Sequence, residues 1–207
     1  MVAALIVLGG YLLGSIPFGL WVVRWIKGTD IRELGSGNIG ATNVWRVYGR
    51  WLGIPIVLLD VAKGFVPALV GLLVAGQLIG VLAGAAAMFG HWRPLYLRLA
   101  KGGKTVATAG GVTLALAPRA AGCCVAVWLV LFLITRYSSI ASLVTALTLP
   151  LFTWLFGAGW PVVTFGALAA VAVLLLHKAN IRRLFKDRKS TRLNSSHLRL
   201  SRMPSSA

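Results

Sequence analysis

The feature of this chain that most restricts its fold is a succession of long apolar segments separated by short polar ones. The first segment, MVAALIVLGGYLLGSIPFGLWVV, contains no charged side chain. Of the 207 residues, 58% are hydrophobic and only 12% are charged, and the mean hydropathy is +0.84. That leaves too little polar surface to cover a soluble globule. The chain is therefore predicted to be an all-α polytopic membrane protein.

A helix crosses the hydrocarbon of a bilayer in about 20 residues. This length divides the apolar sequence into seven predicted transmembrane helices, near residues 2–24, 51–75, 78–91, 105–117, 120–136, 139–156 and 161–177. The first could be taken for a signal peptide, but it lacks a basic start and is too long for the apolar region of one. The segment 105–117 is short and contains glycine, so it can span only when packed among other helices.

The basic residues orient these spans, because Lys and Arg collect in cytoplasmic loops. Loops 25–50 and 92–104 each carry four of them, and residues 178–183 carry three. On the opposite side, Arg119 stands nearly alone. The N-terminus is therefore predicted to lie outside and the C-terminus in the cytoplasm.

The charge distribution divides the chain into two regions. Residues 1–185 are predicted to form a seven-span membrane domain, and residues 186–207 form a basic tail with six Lys or Arg and one acid. The tail has no apolar periodicity, so it is predicted to be disordered or non-native and carries no functional argument. The membrane domain remains strongly basic, which suits anionic lipid or phosphate partners. We expect neither a nucleic acid nor an obligatory protein partner.

Three polar clusters fall on the predicted cytoplasmic side. The first cluster is DIRELGSGNIGATNVWR (residues 30–46), the second is GHWRPLYLRLAKGGKT (90–105), and the third is HKANIRR (177–183). Each combines cations with glycines, hydroxyls or amides. Glycines allow amide N–H groups to converge on an anion, and Lys or Arg adds charge. The clusters predict phosphate binding; the alternative is that they are ordinary turn-forming, positively charged loops.

Two glycine patterns in these clusters resemble nucleotide-binding motifs. Residues 35–40 spell G-x-G-x-x-G, but a charged segment precedes them and the acid at the required distance, Asp60, lies inside an apolar span. Gly103, Lys104 and Thr105 resemble the end of a phosphate-binding Walker loop, but Arg98 stands where its first glycine belongs. Neither a dinucleotide nor an ATP site is predicted.

Acidic residues are scarce, since only three lie outside the tail. A paired-carboxylate hydrolase or a metal-dependent transferase would be difficult to assemble from them, so no cofactor and no metal ion are predicted. Asp60 and Lys63 are three residues apart in the second span, where a structural ion pair is preferred to direct chemistry. His177 and Asn180 have the same spacing and share a helix face. For His177, a structural and a catalytic role both remain open.

Five segments, in this order, resemble the bacterial acyl-phosphate:glycerol-3-phosphate acyltransferase (PlsY) family: GSIPFG, DIRELGSGNIGATN, DVAKG, GHWRPLYLRLAKGGKTVAT and HKANIRRL. The resemblance extends over nearly all of residues 1–185. It implies a multi-pass enzyme of the bacterial inner membrane that acts in phospholipid biosynthesis. Such an enzyme moves a fatty acyl group from acyl phosphate to the 1-hydroxyl of glycerol 3-phosphate, giving lysophosphatidic acid and phosphate. It does not use acyl-CoA or acyl-carrier protein, and its partners are these substrates and membrane lipids.

The resemblance also assigns roles to residues of this chain. The catalytic candidates are Ser36, Arg46, Lys104, His177 and Asn180. The substrate-binding candidates are Gly37, Asn38, Thr42, Lys101, Gly102, Gly103 and Ser142. Within these sets, residues 102–104 correspond to the glycerol-phosphate loop of the family.

The chain departs from the family pattern at two places. Thr105 replaces the last glycine of the usual K-G-G-K-G-V-A-T, a change that stiffens or crowds the loop. The family also carries a glutamate several residues after the equivalent of Asn180, whereas no Glu follows Glu33 in this chain.

The resemblance leaves the mechanism and one rival function open. Acyl phosphate is already activated, so direct attack by the acceptor hydroxyl, with Ser36 orienting the reactants, is favoured. The competing mechanism makes Ser36 a nucleophile with His177 as its base. The rival function is a transporter of phosphate or a phosphorylated solute, and a non-catalytic scaffold leaves the three clusters unexplained.

Overall fold

The computed structural model describes residues 1–182, and every regular element in that range is helical. The α-helices of the described chain are α1 (Val2–Gly14), α2 (Phe18–Lys27), α3 (Ala41–Tyr48), α4 (Arg50–Ala75), α5 (Gln77–Trp92), α6 (Val106–Leu116), α7 (Pro118–Thr135), α8 (Ser138–Leu155) and α9 (Trp160–Leu176). Two short 3₁₀ helices, Ile31–Glu33 and Leu95–Leu97, lie in the loops between them. The predicted tail, residues 186–207, and Arg183 of the third cluster lie outside the described residues.

Apart from the first, each predicted span coincides with one of these helices to within a few residues. Four segments of the described chain are long and apolar enough to cross a membrane: Val2–Lys27, Arg50–Ala75, Pro118–Thr135 and Ser138–Leu155. The helices α6 and α9 are apolar but shorter. The all-helical fold is confirmed for residues 1–182, whereas the number of crossings and the side on which each terminus lies stay predictions.

The first predicted span is not one continuous helix, because α1 ends at Gly14 and α2 begins at Phe18. Pro17 has no N–H to donate, which favours a break at this point. The hydroxyl of Ser15 donates to the Tyr11 carbonyl at 2.7 Å and covers the end of α1. The carbonyl of Ile16 in the break accepts a hydrogen bond from Lys63 Nζ at 3.1 Å. The break therefore presents a backbone acceptor to a buried cation.

The long helix α4 is the centre of the bundle and packs against α1, α3, α5 and α6. Its approach to α6 depends on glycine, because a Cβ on Gly64 would lie 2.1 Å from the Thr108 carbonyl oxygen. A Cβ on Gly111 of α6 would lie 2.0 Å from the Val61 carbonyl oxygen. Small residues at helix contacts are the usual means by which membrane helices pack closely. This packing fixes the ends of α4, α5 and α6 relative to one another.

The first and second clusters meet through an apolar layer at one end of the bundle. The helices α2, α3 and α4 bury a core there that includes Val23, Val44 and Ile56, and Leu97 of the second cluster packs against it. The rings of Trp21 and Tyr96 are 5.6 Å apart. The polar loops on either side of this layer are therefore held next to each other by apolar contacts.

Candidate active site

The loop of the first cluster is organised by one buried side chain, Asn43, which is 2% exposed. Its Oδ1 accepts the Ser36 backbone N–H at 2.8 Å. Its Nδ2 contacts three carbonyl oxygens, those of Leu34 and Asn38 at 3.0 Å and of Ile31 at 3.3 Å. A single amide from α3 therefore fixes the loop on both sides of Ser36. The sequence contained this residue in GSGNIGATN, but nothing in its spacing distinguished it from Asn38.

Two glycines and Asn38 complete the turn around Ser36. Gly35 and Gly37 have φ values of +61° and +69°, a region that favours glycine. A Cβ on Gly35 would lie 2.4 Å from Asn43 Oδ1. Asn38 Oδ1 accepts the Gly40 backbone N–H at 2.8 Å, so this side chain caps its own turn. The Ser36 side chain is half-buried at the edge of the loop.

The remaining candidates of the first two clusters are exposed. Thr42 and Arg46 are four residues apart on α3, so they share a face of that helix. Gly37 and Lys101 are exposed in their loops. These positions are open to a ligand at the same end of the bundle.

Asp30, at the start of the first cluster, forms salt bridges with two arginines. Arg32 and Arg24 approach its Oδ2 at 2.6 and 2.8 Å. The hydrogen bonds from the Arg32 side chain are the main cause that lowers the pKa of Asp30 to about 2. Asp30 is therefore ionised at neutral pH and, already paired, is a poor general base.

The glycines of the second cluster pack against the end of α5. The Gly102 N–H donates to the Trp92 carbonyl and the Gly103 N–H to the His91 carbonyl, both at 2.9 Å. These two amides therefore donate to backbone carbonyls at the end of α5, and substrate binding by Gly102 and Gly103 stays a prediction. A Cβ on Gly103 would lie 1.9 Å from His91 Nε2, and one on Gly102 would lie 2.1 Å from the His91 carbonyl oxygen. Glycine is required here for close packing.

Thr105 follows Lys104 and has φ +62°, ψ −3°. A β-branched residue in this left-handed region is unusual and costs roughly 1–2 kcal/mol. Its hydroxyl is buried and, within residues 1–182, makes no hydrogen bond. The departure from the family glycine therefore falls on a backbone conformation that favours glycine, which is consistent with a stiffened loop.

The second and third clusters are joined directly. Lys104 Nζ donates to Asn180 Oδ1 at 2.8 Å, and Asn180 Nδ2 donates to the hydroxyl of Ser139 at the start of α8. His177, one helical turn before Asn180, is 3% exposed, and its Nδ1 contacts the Val173 carbonyl at 2.8 Å. Because a carbonyl can only accept, this contact makes Nδ1 the donor, so Nε2 carries a lone pair when the ring is neutral.

Ser142 lies one turn after Ser139 on α8 and has a different partner. Its hydroxyl accepts a hydrogen bond from Trp128 Nε1 of α7 at 3.1 Å. The contact with the third cluster is made by Ser139, which sequence reasoning missed. The signal was present as SSIAS, but the choice among its serines depends on how α8 is rotated in the bundle.

The expected ion pair in α4 is confirmed and extends further than predicted. Lys63 Nζ lies 2.9 Å from Asp60 Oδ1, and the two side chains are only 1% and 4% exposed. His91 Nδ1 lies 3.7 Å from the same Asp60 oxygen. In the sequence His91 is one residue of the second cluster, and nothing in its spacing connects it to α4.

The geometry thus joins Lys104 to Asn180, with His177 one helical turn before it, and the second cluster packs on the first through Leu97. The hydrogen bonds described for Ser36 and Asn38 stay within residues 31–43. Within residues 1–182, no group of three or more His, Cys, Asp or Glu side chains is arranged to hold a metal ion. The chemistry offered by the site is that of cations, amides, hydroxyls and one neutral imidazole nitrogen.

Comparison with known proteins gives a consistent picture. The model of a family described as glycerol-3-phosphate acyltransferase matches residues 4–187. A relative of that name from Desulforudis audaxviator is 44% identical over 189 residues, which cover 91% of this chain and 95% of the relative. Another from Aquifex aeolicus is 45% identical over 193 residues, covering 91% of this chain and 98% of the relative.

A solved structure is also similar over most of its length. The crystal structure of PlsY, an integral membrane glycerol 3-phosphate acyltransferase, in its glycerol 3-phosphate form has a TM-score of 0.86 and 39% sequence identity. The alignment covers 91% of this chain and 94% of the PlsY chain. A second form of PlsY, with lysophosphatidic acid, has a TM-score of 0.85.

Proposed function

The chain belongs to the glycerol-3-phosphate acyltransferase family, and we propose that it takes its acyl group from acyl phosphate. It is a multi-pass membrane acyltransferase of phospholipid biosynthesis. The acyl group goes to the 1-hydroxyl of glycerol 3-phosphate, and lysophosphatidic acid and phosphate are released. The observation that carries the proposed acceptor site is the hydrogen bond from Lys104 to Asn180, because it joins two of the clusters predicted to bind phosphate.

Glycerol 3-phosphate binds through its phosphate to the ammonium of Lys104. Asn180 holds this ammonium in place, and Ser139 in turn holds Asn180. The exposed cations Lys101 and Arg46 supply further positive charge at the same end of the bundle. The two substrates both carry phosphate, and their negative charges repel each other. Several cations are therefore needed to hold both substrates in one site.

The reaction needs alignment more than activation of the donor. The 1-hydroxyl oxygen attacks the acyl carbon, the bond from that carbon to the phosphate oxygen breaks, and phosphate leaves with the electron pair. Correct alignment of two bound reactants supplies about 7–11 kcal/mol. Fixed cations and N–H groups stabilise the developing oxyanion and the departing phosphate.

The proton of the attacking hydroxyl passes to a phosphate oxygen of a substrate. Asp30 and Asp60, two acids of the described chain, already have cationic partners. His177 Nε2 accepts a hydrogen bond from the acceptor hydroxyl and orients it. Ser36, held by Asn43 at its backbone, orients the donor.

An assay with purified protein in lipid tests the proposed donor. The protein is given glycerol 3-phosphate with acyl phosphate, acyl-CoA or acyl-carrier protein, and lysophosphatidic acid and phosphate are measured. We expect equal amounts of the two products with acyl phosphate and no lysophosphatidic acid with the other donors. Lysophosphatidic acid formed from acyl-CoA but not from acyl phosphate would reject acyl phosphate as the donor. No product with any donor, together with uptake of phosphate or glycerol 3-phosphate into sealed vesicles, would instead favour the transporter.

We predict that no acyl-enzyme forms at Ser36. Ser36→Ala is expected to be inactive under either mechanism, so loss of activity does not decide between them. Excess enzyme is therefore mixed with radiolabelled acyl phosphate without acceptor and quenched in acid. Direct attack gives neither labelled protein nor a stoichiometric burst of phosphate. A label on Ser36 that glycerol 3-phosphate removes at a competent rate would establish the covalent route with His177 as base.

We also propose that seven helices cross the membrane with the N-terminus outside and the site in the cytoplasm. In a background lacking Cys123 and Cys124, single variants Tyr96→Cys and Trp160→Cys are treated with an impermeant thiol reagent. The two side chains are 47% and 77% exposed at the protein surface, so neither is enclosed by the bundle. Tyr96→Cys should react only from the cytoplasmic side and Trp160→Cys only from outside. The reverse pattern would overturn the threading.

A further inference from the structure

The buried charges of α4 form part of a continuous series of contacts. Lys63 Nζ contacts Asp60 Oδ1 at 2.9 Å and the Ile16 carbonyl oxygen at 3.1 Å. Its ammonium also lies 5.6 Å from the centre of the Phe18 ring, at the start of α2. The cation of Lys63 therefore ties α4 to the break between α1 and α2.

The other end of the series is His91, the buried imidazole at the end of α5. Its Nδ1 faces Asp60 Oδ1 at 3.7 Å, an electrostatic contact that is too long for a hydrogen bond. Its Nε2 faces Gly103, where an added Cβ would lie only 1.9 Å away. The carbonyl of His91 also accepts the Gly103 N–H. The ring and the backbone of this one residue therefore support the glycine that precedes Lys104.

The energetic cost of burying Asp60 and Lys63 indicates that this ion pair has a role beyond stability. Asp60 lies about 15 Å along α4 from Arg50, at 1.5 Å per residue, and Lys63 lies one turn further. Asp60 and Lys63 are therefore both within an apolar segment. Charges in such segments are costly and are usually functional. Replacing a buried ion pair by apolar side chains of similar size is often neutral or stabilising. Packing alone thus does not explain Asp60 and Lys63.

We propose that Asp60, Lys63 and His91 form a positioning network that sets the place of residues 102–104, and through them the ammonium of Lys104. The network acts on glycerol 3-phosphate only through Lys104, so all three are positioning residues and not catalytic ones. The proposal rests on the proposed function of the Lys104 loop. Its consequence is a specific defect in acceptor binding when the network is removed.

The first test removes both charges together. The double variant Asp60→Leu with Lys63→Met leaves no unpaired charge in the apolar segment. We expect KM for glycerol 3-phosphate to rise about tenfold or more, with kcat changed less than about threefold. KM for acyl phosphate should be unchanged. A structural role would instead lower thermal stability without this split between the two substrates.

The matched control is Thr153→Val on α8. Thr153 is fully buried, and its hydroxyl donates to the Leu149 carbonyl of its own helix. The change removes a buried polar group far from residues 102–104 in the chain. We expect both KM values to stay at the wild-type level.

The second test is a double-mutant cycle between His91 and Gly103, which tests the end of the network nearest Lys104 even if the charge-removed variant does not fold. Gly103→Ala should raise KM for glycerol 3-phosphate, because its methyl group meets the His91 ring. In a His91→Ala background the same change should raise KM much less, since the ring is gone. Independent, additive effects would overturn the proposed contact.

Calorimetric titration with glycerol 3-phosphate, without donor, separates failure of the network from failure of the proposed function. Weaker binding in the charge-removed and His91→Ala variants, but not in Thr153→Val, would support the network whether or not turnover is measured. Wild-type affinity in both network variants would overturn the network and leave the acyltransferase function intact. Absence of binding to the wild-type protein would reject both the network and the acceptor site.

Discussion

Replacing Lys104 by Met is expected to lower kcat/KM for glycerol 3-phosphate by about a hundredfold to a thousandfold. The methionine keeps an unbranched side chain but removes the ammonium that Asn180 holds at 2.8 Å. A fixed charged donor to a phosphate or an oxyanion contributes about 3–4 kcal/mol, and each 1.36 kcal/mol is a factor of ten in rate. Steady-state kinetics in both substrates measure the effect. The defect should appear in KM for glycerol 3-phosphate and in kcat.

The control for this variant is Lys178→Met. Lys178 is exposed one residue after His177, so it lies at the same end of the bundle and carries the same charge. Lys178→Met should lose little activity. The defect expected for Lys104→Met comes from the missing ammonium at the site and not from a general decrease of positive charge. Equal losses in the two variants, or a Lys104→Met enzyme within about threefold of the wild type, would remove Lys104 from the site.

Replacing Asn43 by Ala is expected to lower kcat/KM by about a hundredfold, although the side chain touches no substrate in our account. The change leaves the Ser36 N–H and three carbonyls without their partner. Each buried polar group left unpaired costs about 1–3 kcal/mol, so the loop around Ser36 adopts other conformations. The loop is at one end of the bundle, and the thermal unfolding temperature should therefore fall only modestly.

Two further variants interpret this result. Asn43→Asp keeps an acceptor for the Ser36 N–H but places a buried carboxylate against three carbonyl oxygens, so it should be no more active than the alanine variant. Thr164→Val removes an exposed hydroxyl from α9 that donates to its own helix, and it should behave as wild type. Full activity in Asn43→Ala would show that the loop does not depend on this amide.

The helices could be predicted from the sequence because each apolar run ends at polar residues, glycine or proline. The break at residues 15–17 could not, since the run stays apolar through it. Pro17 was a local signal, but the break is also stabilised from α4, where Lys63 donates to the Ile16 carbonyl. A hydropathy pattern contains no information about such a distant partner.

The site was predictable at the level of clusters and not at the level of contacts. Glycines and cations identified the loops, and the spacing of His177 and Asn180 placed them on one face. The pairing of Asn180 with Ser139 instead of Ser142 depends on the rotation of α8. The hydrogen bond of the Gly103 N–H depends on where the end of α5 lies, because that amide donates to the backbone carbonyl of His91. Both are set by tertiary packing.

A crystal structure of this protein with bound glycerol 3-phosphate shows where the acceptor phosphate lies. We expect it to bind where the second and third clusters meet. We predict a phosphate oxygen within about 3.2 Å of Lys104 Nζ, with the 1-hydroxyl directed toward His177 and the loop that carries Ser36. A phosphate bound at another cationic surface, for example beside Arg24 and Lys27, with no ligand at Lys104, would contradict the account.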